Sequence, residues 1–209
     1  MFKKSLQIFF ILLLSLCFGQ QNEEFKEVTK FYDYQRYMLN KEFKKRFDSE
    51  ADNANKLTVR NDFQEFMVKL DSIQNNALVN ALIKVKIRED LSKFFLKDEN
   101  HLNTANAKKA ELTKDAKYPG GFEMMRQQIT NVFYTDAVLT DQKIMRTNLI
   151  FVVEKDGSIS SVKADGENFT FNRQAEIALY LLPDKFSPAY IKGAAVRYRF
   201  RLPLAMNFE

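Results

Sequence analysis

Apolar and polar positions follow three different rhythms along this chain. An almost unbroken apolar run, Leu6 to Leu16, comes first. Apolar residues then recur at helical spacing, through Phe25, Val28, Phe31-Tyr32, Met38-Leu39 and Phe43. That spacing predicts a first helix from Glu23 to about Glu50. Asp48 to Lys56 is polar and reads as a loop. A second helix is predicted behind an N-cap at Asn61 or Asp62, with Phe63, Phe66-Met67, Leu70 and Ile73 on one face. The face shifts after Asn75-Asn76 to Leu78-Val79, Leu82-Ile83, Val85 and Ile87, so a kink or break is expected there. Leu91, Phe94-Phe95 and Leu96 close the run. Residues 98–117 are polar and read as a linker or a frayed segment.

The rhythm changes again at Tyr118. Phe122, Met125, Ile129 and Val132-Phe133 predict a helix with those residues on one face. Asn148 to Glu154 reads as a strand covered on both sides, with Leu149, Phe151 and Val153 opposite Ile150 and Val152. Asp156-Gly157 predicts a hairpin turn, because this dipeptide tolerates positive φ. The returning strand steps from Ile159 to Val162, a three-residue interval that predicts a bulge. A further helix carries Ala175, Ala178-Leu179 and Leu182, with Asn172 as its expected cap and Pro183 as its stop. A final long strand is expected from Ala194 to about Phe208. Val196, Tyr198, Phe200 and Leu202 lie on one of its faces, and Arg197, Arg199 and Arg201 on the other. The order helix, strand, strand, helix, strand implies an α+β fold, an antiparallel three-stranded sheet packed on two helices, preceded by a helical region.

Composition sharpens the boundaries. Residues 20–117 contain no Pro and no Gly, whereas all 4 Pro and five of the 6 Gly lie beyond Lys117. Long helices are expected before that point and turns after it. The N-terminal run, led by Lys3 and Lys4 and followed by Cys17-Phe18-Gly19, has the layout of a secretory signal peptide over residues 1–19. It is shorter than the roughly 20 apolar residues a membrane anchor needs. Bulky Leu16 argues against lipidation at Cys17, and that only cysteine leaves with the signal. The expected organisation is therefore signal peptide 1–19, helical region 20–97, linker 98–117 and an α+β domain over 118–209.

Candidate chemistry is sparse. Cleavage removes two of the 32 Lys and Arg, leaving 30 against 27 Asp and Glu, or +3. That is too mild for the basic footprint of a nucleic-acid binder. The single histidine, His101, sits in a polar stretch, and one His without Cys supplies no zinc set, so no metal or cofactor is expected. No serine sits in a Gly-x-Ser-x-Gly turn, and Asp136 and Asp141 fall in a polar loop with nothing to perturb them. An enzyme is not expected. The Arg197, Arg199 and Arg201 ladder reads either as a stripe for an acidic partner or as a solvated face paired with carboxylates such as Glu154 or Asp165. The helical stripes read as core, with docking of a partner or a second copy as the alternative.

One succession carries a family resemblance. Tyr118-Pro119-Gly120-Gly121, then Phe151 through Ile159, then Leu182-Pro183 and Phe186-Ser187-Pro188-Ala189, then Gly193, Val196 and the closing Leu202-Pro203-Leu204 and Phe208 stand in order over 92 residues. Together they resemble the TonB C-terminal domain, in the version common in Gram-negative Bacteroidetes-type bacteria. The resemblance implies a periplasmic protein-binding module of the cell envelope. In that family the domain recognises an extended segment of an outer-membrane transporter, and so serves transmembrane transport. Binding is implied to run along the edge of the last strand, here Val196, Arg197, Tyr198, Arg199, Phe200, Arg201 and Leu202. The physical basis is strand addition to unpaired N–H and C=O groups. A full energy transducer of the family carries an uncleaved membrane helix and a Pro-rich spacer. Neither is read here, so coupling to an inner-membrane motor is not expected. The alternative is an envelope structural protein whose domain packs on its own helices and binds no peptide. An open edge also makes a homodimer by strand pairing or swapping a natural expectation.

Overall fold

The computed structural model describes residues 22–95 and 108–208. The expected signal peptide, Cys17, His101 and residues 98–107 of the expected linker lie outside the described residues. The fold is α+β, as expected.

Helix α1 spans Glu23–Ser49 and α2 spans Asn53–Phe95. Glu23 and Glu24 in the first turn of α1 oppose the positive end of its dipole. The two helices run antiparallel, with Phe43 stacked on Phe63 at 4.2 Å and Arg36 bound to Asp71 and Gln74. The connection is much shorter than the predicted loop. The Asp52 carboxylate accepts the Ala54 N–H at 2.7 Å and caps α2, which therefore starts well before Asn61.

No break occurs at Asn75-Asn76, because α2 is continuous over 43 residues. The shift in its apolar face records a change of packing partner. Before Asn75 the helix faces α1, and beyond it Leu78, Ala81, Leu82 and Val85 enter the main core. Asn75 sits at that transition, buried, with its Oδ1 accepting the Gln174 Nε2–H at 2.8 Å.

Residues 108–117 are docked, not free. Thr113 donates its N–H to the Tyr190 carbonyl at 2.8 Å, and Lys117 and Ser187 exchange backbone bonds at 3.0 and 2.8 Å. Tyr118-Pro119-Gly120-Gly121 then forms a turn closed by Gly121 N–H to Tyr118 O at 2.9 Å. Gly120 has φ +72, where a glycine is required, as in a type II turn with Pro before it.

Helix α3, Gly121–Val132, buries Met125 and Ile129, with Phe133 just beyond its end. Phe122 and Val132, expected on the same buried face, are exposed instead. Strand β1, Ile144–Val153, starts earlier than predicted, since Ile144–Thr147 pair with the end of the last strand. Its partner β2 is Ile159–Asp165. The turn between them closes with Gly157 N–H to Glu154 O at 2.9 Å, and Gly157 takes φ +82. The expected bulge is present: the register with β1 shifts between Ile150 and Val152, and Ser161 adopts φ +52. Helix α4, Phe169–Tyr180, is capped by Asn168, whose Oδ1 accepts the Phe171 N–H at 2.8 Å. Asn172, the expected cap, lies inside the helix and donates to the Gly166 carbonyl at 2.7 Å.

The predicted last strand is two strands. Strand β3, Ala189–Ile191, forms a small hairpin with β4, Ala194–Val196. Strand β5, Tyr198–Asn207, leaves that hairpin and pairs with β1 along its whole length. The main sheet is antiparallel in the order β2-β1-β5. One core holds Phe25, Leu82 and Val85 of the helical hairpin together with Met125, Leu149 and Leu179 of the α+β part. Phe25 stacks on Tyr180 with ring centres 5.2 Å apart.

Candidate functional site

A three-stranded open sheet has two edges, and each presents backbone groups that need partners. The two edges here are treated differently. Along β2, side chains of α2 and α4 take the place of a fourth strand. Glu89 accepts the Ser161 N–H at 2.9 Å and the Tyr180 hydroxyl at 3.0 Å. That hydroxyl accepts the Val162 N–H at 3.3 Å. Lys86 donates to the Val162 carbonyl at 3.1 Å and pairs with Glu176 at 2.7 Å. Glu176 in turn accepts the Ala164 N–H at 2.8 Å. Burial, and then the nearby Glu89 charge, push the Tyr180 hydroxyl well above its ordinary pKa, so it stays a donor. The left-handed turn at Ser161 aims its N–H at Glu89. An L residue there costs about 1–2 kcal/mol, which the charge-assisted bond offsets.

Along β5 the arrangement is the reverse. Among the described residues, no strand pairs with its outer side. Of the seven edge residues expected from sequence, five, Tyr198 to Leu202, lie on β5. Val196 belongs to β4 and pairs with Ala189. Arg197 sits at the junction of the two strands and is removed from the expected arginine stripe. Its guanidinium grips Glu154 through two bonds of 2.7 and 2.8 Å, while Ser160 donates to the same carboxylate at 2.5 Å. This clamp fixes the chain where it crosses from hairpin to sheet. Arg199 and Arg201 are exposed, opposite Val152 and Ile150 of β1.

The other face of β5 is aromatic. Phe200 is half-buried and stacks on Phe151 at 5.6 Å, with Phe186 at 5.7 Å, Phe122 at 5.6 Å and Tyr198 at 5.5 Å. Tyr118 closes the cluster against Phe186 at 5.0 Å. Its hydroxyl bonds Gln128 at 2.5 Å, and burial raises its pKa to about 12. Phe122 stays 49% exposed beside this cluster, so an apolar side chain flanks the open edge. Pairing by an added strand would weaken at Pro203, which has no N–H.

A cleft of about 700 Å³ with a mixed lining lies at the far end of the sheet, bordered among others by Arg126, Ile144, Arg146, Asp165, Glu167 and Leu204. Among the described residues, no group of three His, Cys, Asp or Glu side chains is placed to hold a metal ion. No helix of the described residues is long and apolar enough to cross a membrane.

The sequence did not single out Lys86, Glu89, Glu176 or Tyr180. The signal available was the pair Lys86 and Glu89, flanking the apolar run Leu78, Leu82, Val85 on one helix face. Set against models of protein families, curated proteins and solved structures, the chain matches none of them.

Proposed function

We propose that this chain is an exported, periplasmic adaptor of the cell envelope that recognises an extended peptide segment of another envelope protein by adding it as a strand along β5. The TonB C-terminal resemblance names an outer-membrane transporter as the class of partner. No cofactor enters this reading. The observation that carries it is the contrast between the edges: β2 is sealed by Lys86, Glu89, Glu176 and Tyr180, while β5 has no strand on its outer side among the described residues. The aromatic rim at Phe122 and Phe200 gives an incoming strand apolar contacts on one face.

The test is capture from an outer-membrane extract followed by hydrogen exchange on the complex. Capture of a transporter should slow amides between Tyr198 and Leu202 and leave those of β2 unchanged. Protection confined to the helical hairpin, or no transporter captured, would reject strand addition at β5. A second reading, a structural protein without peptide binding, draws on the core shared by the hairpin and the sheet. The same exchange measurement separates the two.

A further inference from the structure

The helical hairpin meets the sheet domain with one flank of its inner half. On α2, Asn75, Leu82, Lys86 and Glu89 turn to the sheet domain. At roughly 100° per residue, Phe66 and Ile73 fall on the opposite flank from those residues. On α1, Phe31 and Met38 have the same seven-residue spacing, which keeps side chains on one stripe. The Arg36–Asp71 and Phe43–Phe63 contacts fix the register of the hairpin. In that register Phe31, Ile73, Met38 and Phe66 alternate along one face, the face turned away from the sheet. All four are exposed, between 44% and 56%, whereas Val59 and Leu70 are the buried apolar residues of the same arm. Among the described residues, nothing covers this face.

We infer that the face is an interface for a second copy of this chain, which completes a four-helix bundle. Two observations select a copy over another occupant. The first is size. About 25 residues of arm at 1.5 Å each, across two helices each about 10 Å wide, offer roughly 750 Å² per copy, close to the roughly 800 Å² per partner of a stable interface. The second is charge. A two-fold axis along the hairpin lays α1 of one copy over α2 of the other. Exposed Arg46 then lies level with the partner's Asp62, also exposed, and the two-fold repeats the pair. The pairing is self-complementary, as a two-fold interface requires. The sheet domains stay on the outside, and both β5 edges stay clear. The inference is independent of any peptide-binding role.

Sedimentation equilibrium of the purified protein at micromolar concentrations tests it. A dimer is expected, converted to monomer by Ile73→Glu with helicity unchanged. Met38→Lys serves as the second disrupting variant should the first fold poorly. Arg46→Glu should weaken association about tenfold or more, and Asp62→Arg added to it should restore association. A monomeric parent protein, or a dimer that survives both Ile73→Glu and Met38→Lys, overturns the inference.

Discussion

Removing one oxygen atom tests the sealed edge most directly. In Tyr180→Phe the ring remains, so its stacking on Phe25 at 5.2 Å and its burial are preserved. Only the hydroxyl is lost. Two bonds go with it, the one it accepts from the Val162 N–H and the one it donates to Glu89. Val162 is buried, so its amide is left without a partner, which costs about 1–3 kcal/mol. Glu89 keeps the Ser161 N–H and therefore loses only part of its solvation. A total of about 2–3 kcal/mol is expected, or a melting midpoint lowered by roughly 4–12 °C for a chain of this size. Urea unfolding followed by circular dichroism measures the first quantity. Amide exchange at Val162 should accelerate more than at Leu149, in the centre of β1, where any rise reports only the loss of global stability. Phe25→Ala, which deletes the stacked ring, should cost more, about 3–5 kcal/mol. A Tyr180→Phe protein within about 0.5 kcal/mol of the parent, with Val162 exchange unchanged, would refute the idea that side chains carry this edge.

Three further outcomes are expected. Gly157→Ala places a Cβ against the Phe186 carbonyl at φ +82, so the turn must shift and the Phe186 N–H to Gly157 bond is strained. A loss of about 2–4 kcal/mol in urea unfolding is expected. Asn168→Ala removes the acceptor for Phe171 N–H and the donor to the Leu139 carbonyl, and thermal unfolding should show a loss of about 0.5–2 kcal/mol. Stability should also fall in alkali. The Tyr180 and Tyr118 hydroxyls are both raised above 10.0 in the folded chain, mainly by burial. Their contribution is complete below pH 10 and is lost as pH rises beyond it, because the unfolded chain releases those protons first. Unfolding measured across that range should steepen above pH 10, less so in Tyr180→Phe.

Local patterning carried most of the architecture. Period-2 alternation around Leu149, Phe151 and Val153, the Asp156-Gly157 turn and the Ile159 to Val162 step are set by neighbours a few residues apart, and each is found in the fold. Misreadings arose where distant contacts decide. Asn75-Asn76 looked like a break because the polar pair interrupts the apolar face, yet Gln174 satisfies Asn75 from 99 positions away. Residues 194–208 looked like one strand because alternation runs through Arg197, and only its grip on Glu154 reveals the crossing between sheets. At the candidate edge, sequence placed Tyr198 to Leu202 on a strand and offered two environments for the arginines. The structure divides them: Arg197 is paired, while Arg199 and Arg201 stay exposed. Which strand would occupy an edge, and which edge would be closed, depended on Lys86 and Glu89, whose partners lie more than 70 residues away.

The closed edge also limits how this protein can stack upon itself. Open-ended fibrils of sheets need a head-to-tail contact, in which the free edge of each molecule meets the opposite edge of the next. Here that opposite edge is already occupied from within, by the chain's own carboxylates and lysine. Two copies meeting at β5 would instead form one six-stranded sheet with both ends blocked. Growth would stop at two, and the open strand would carry little risk of seeding an endless polymer.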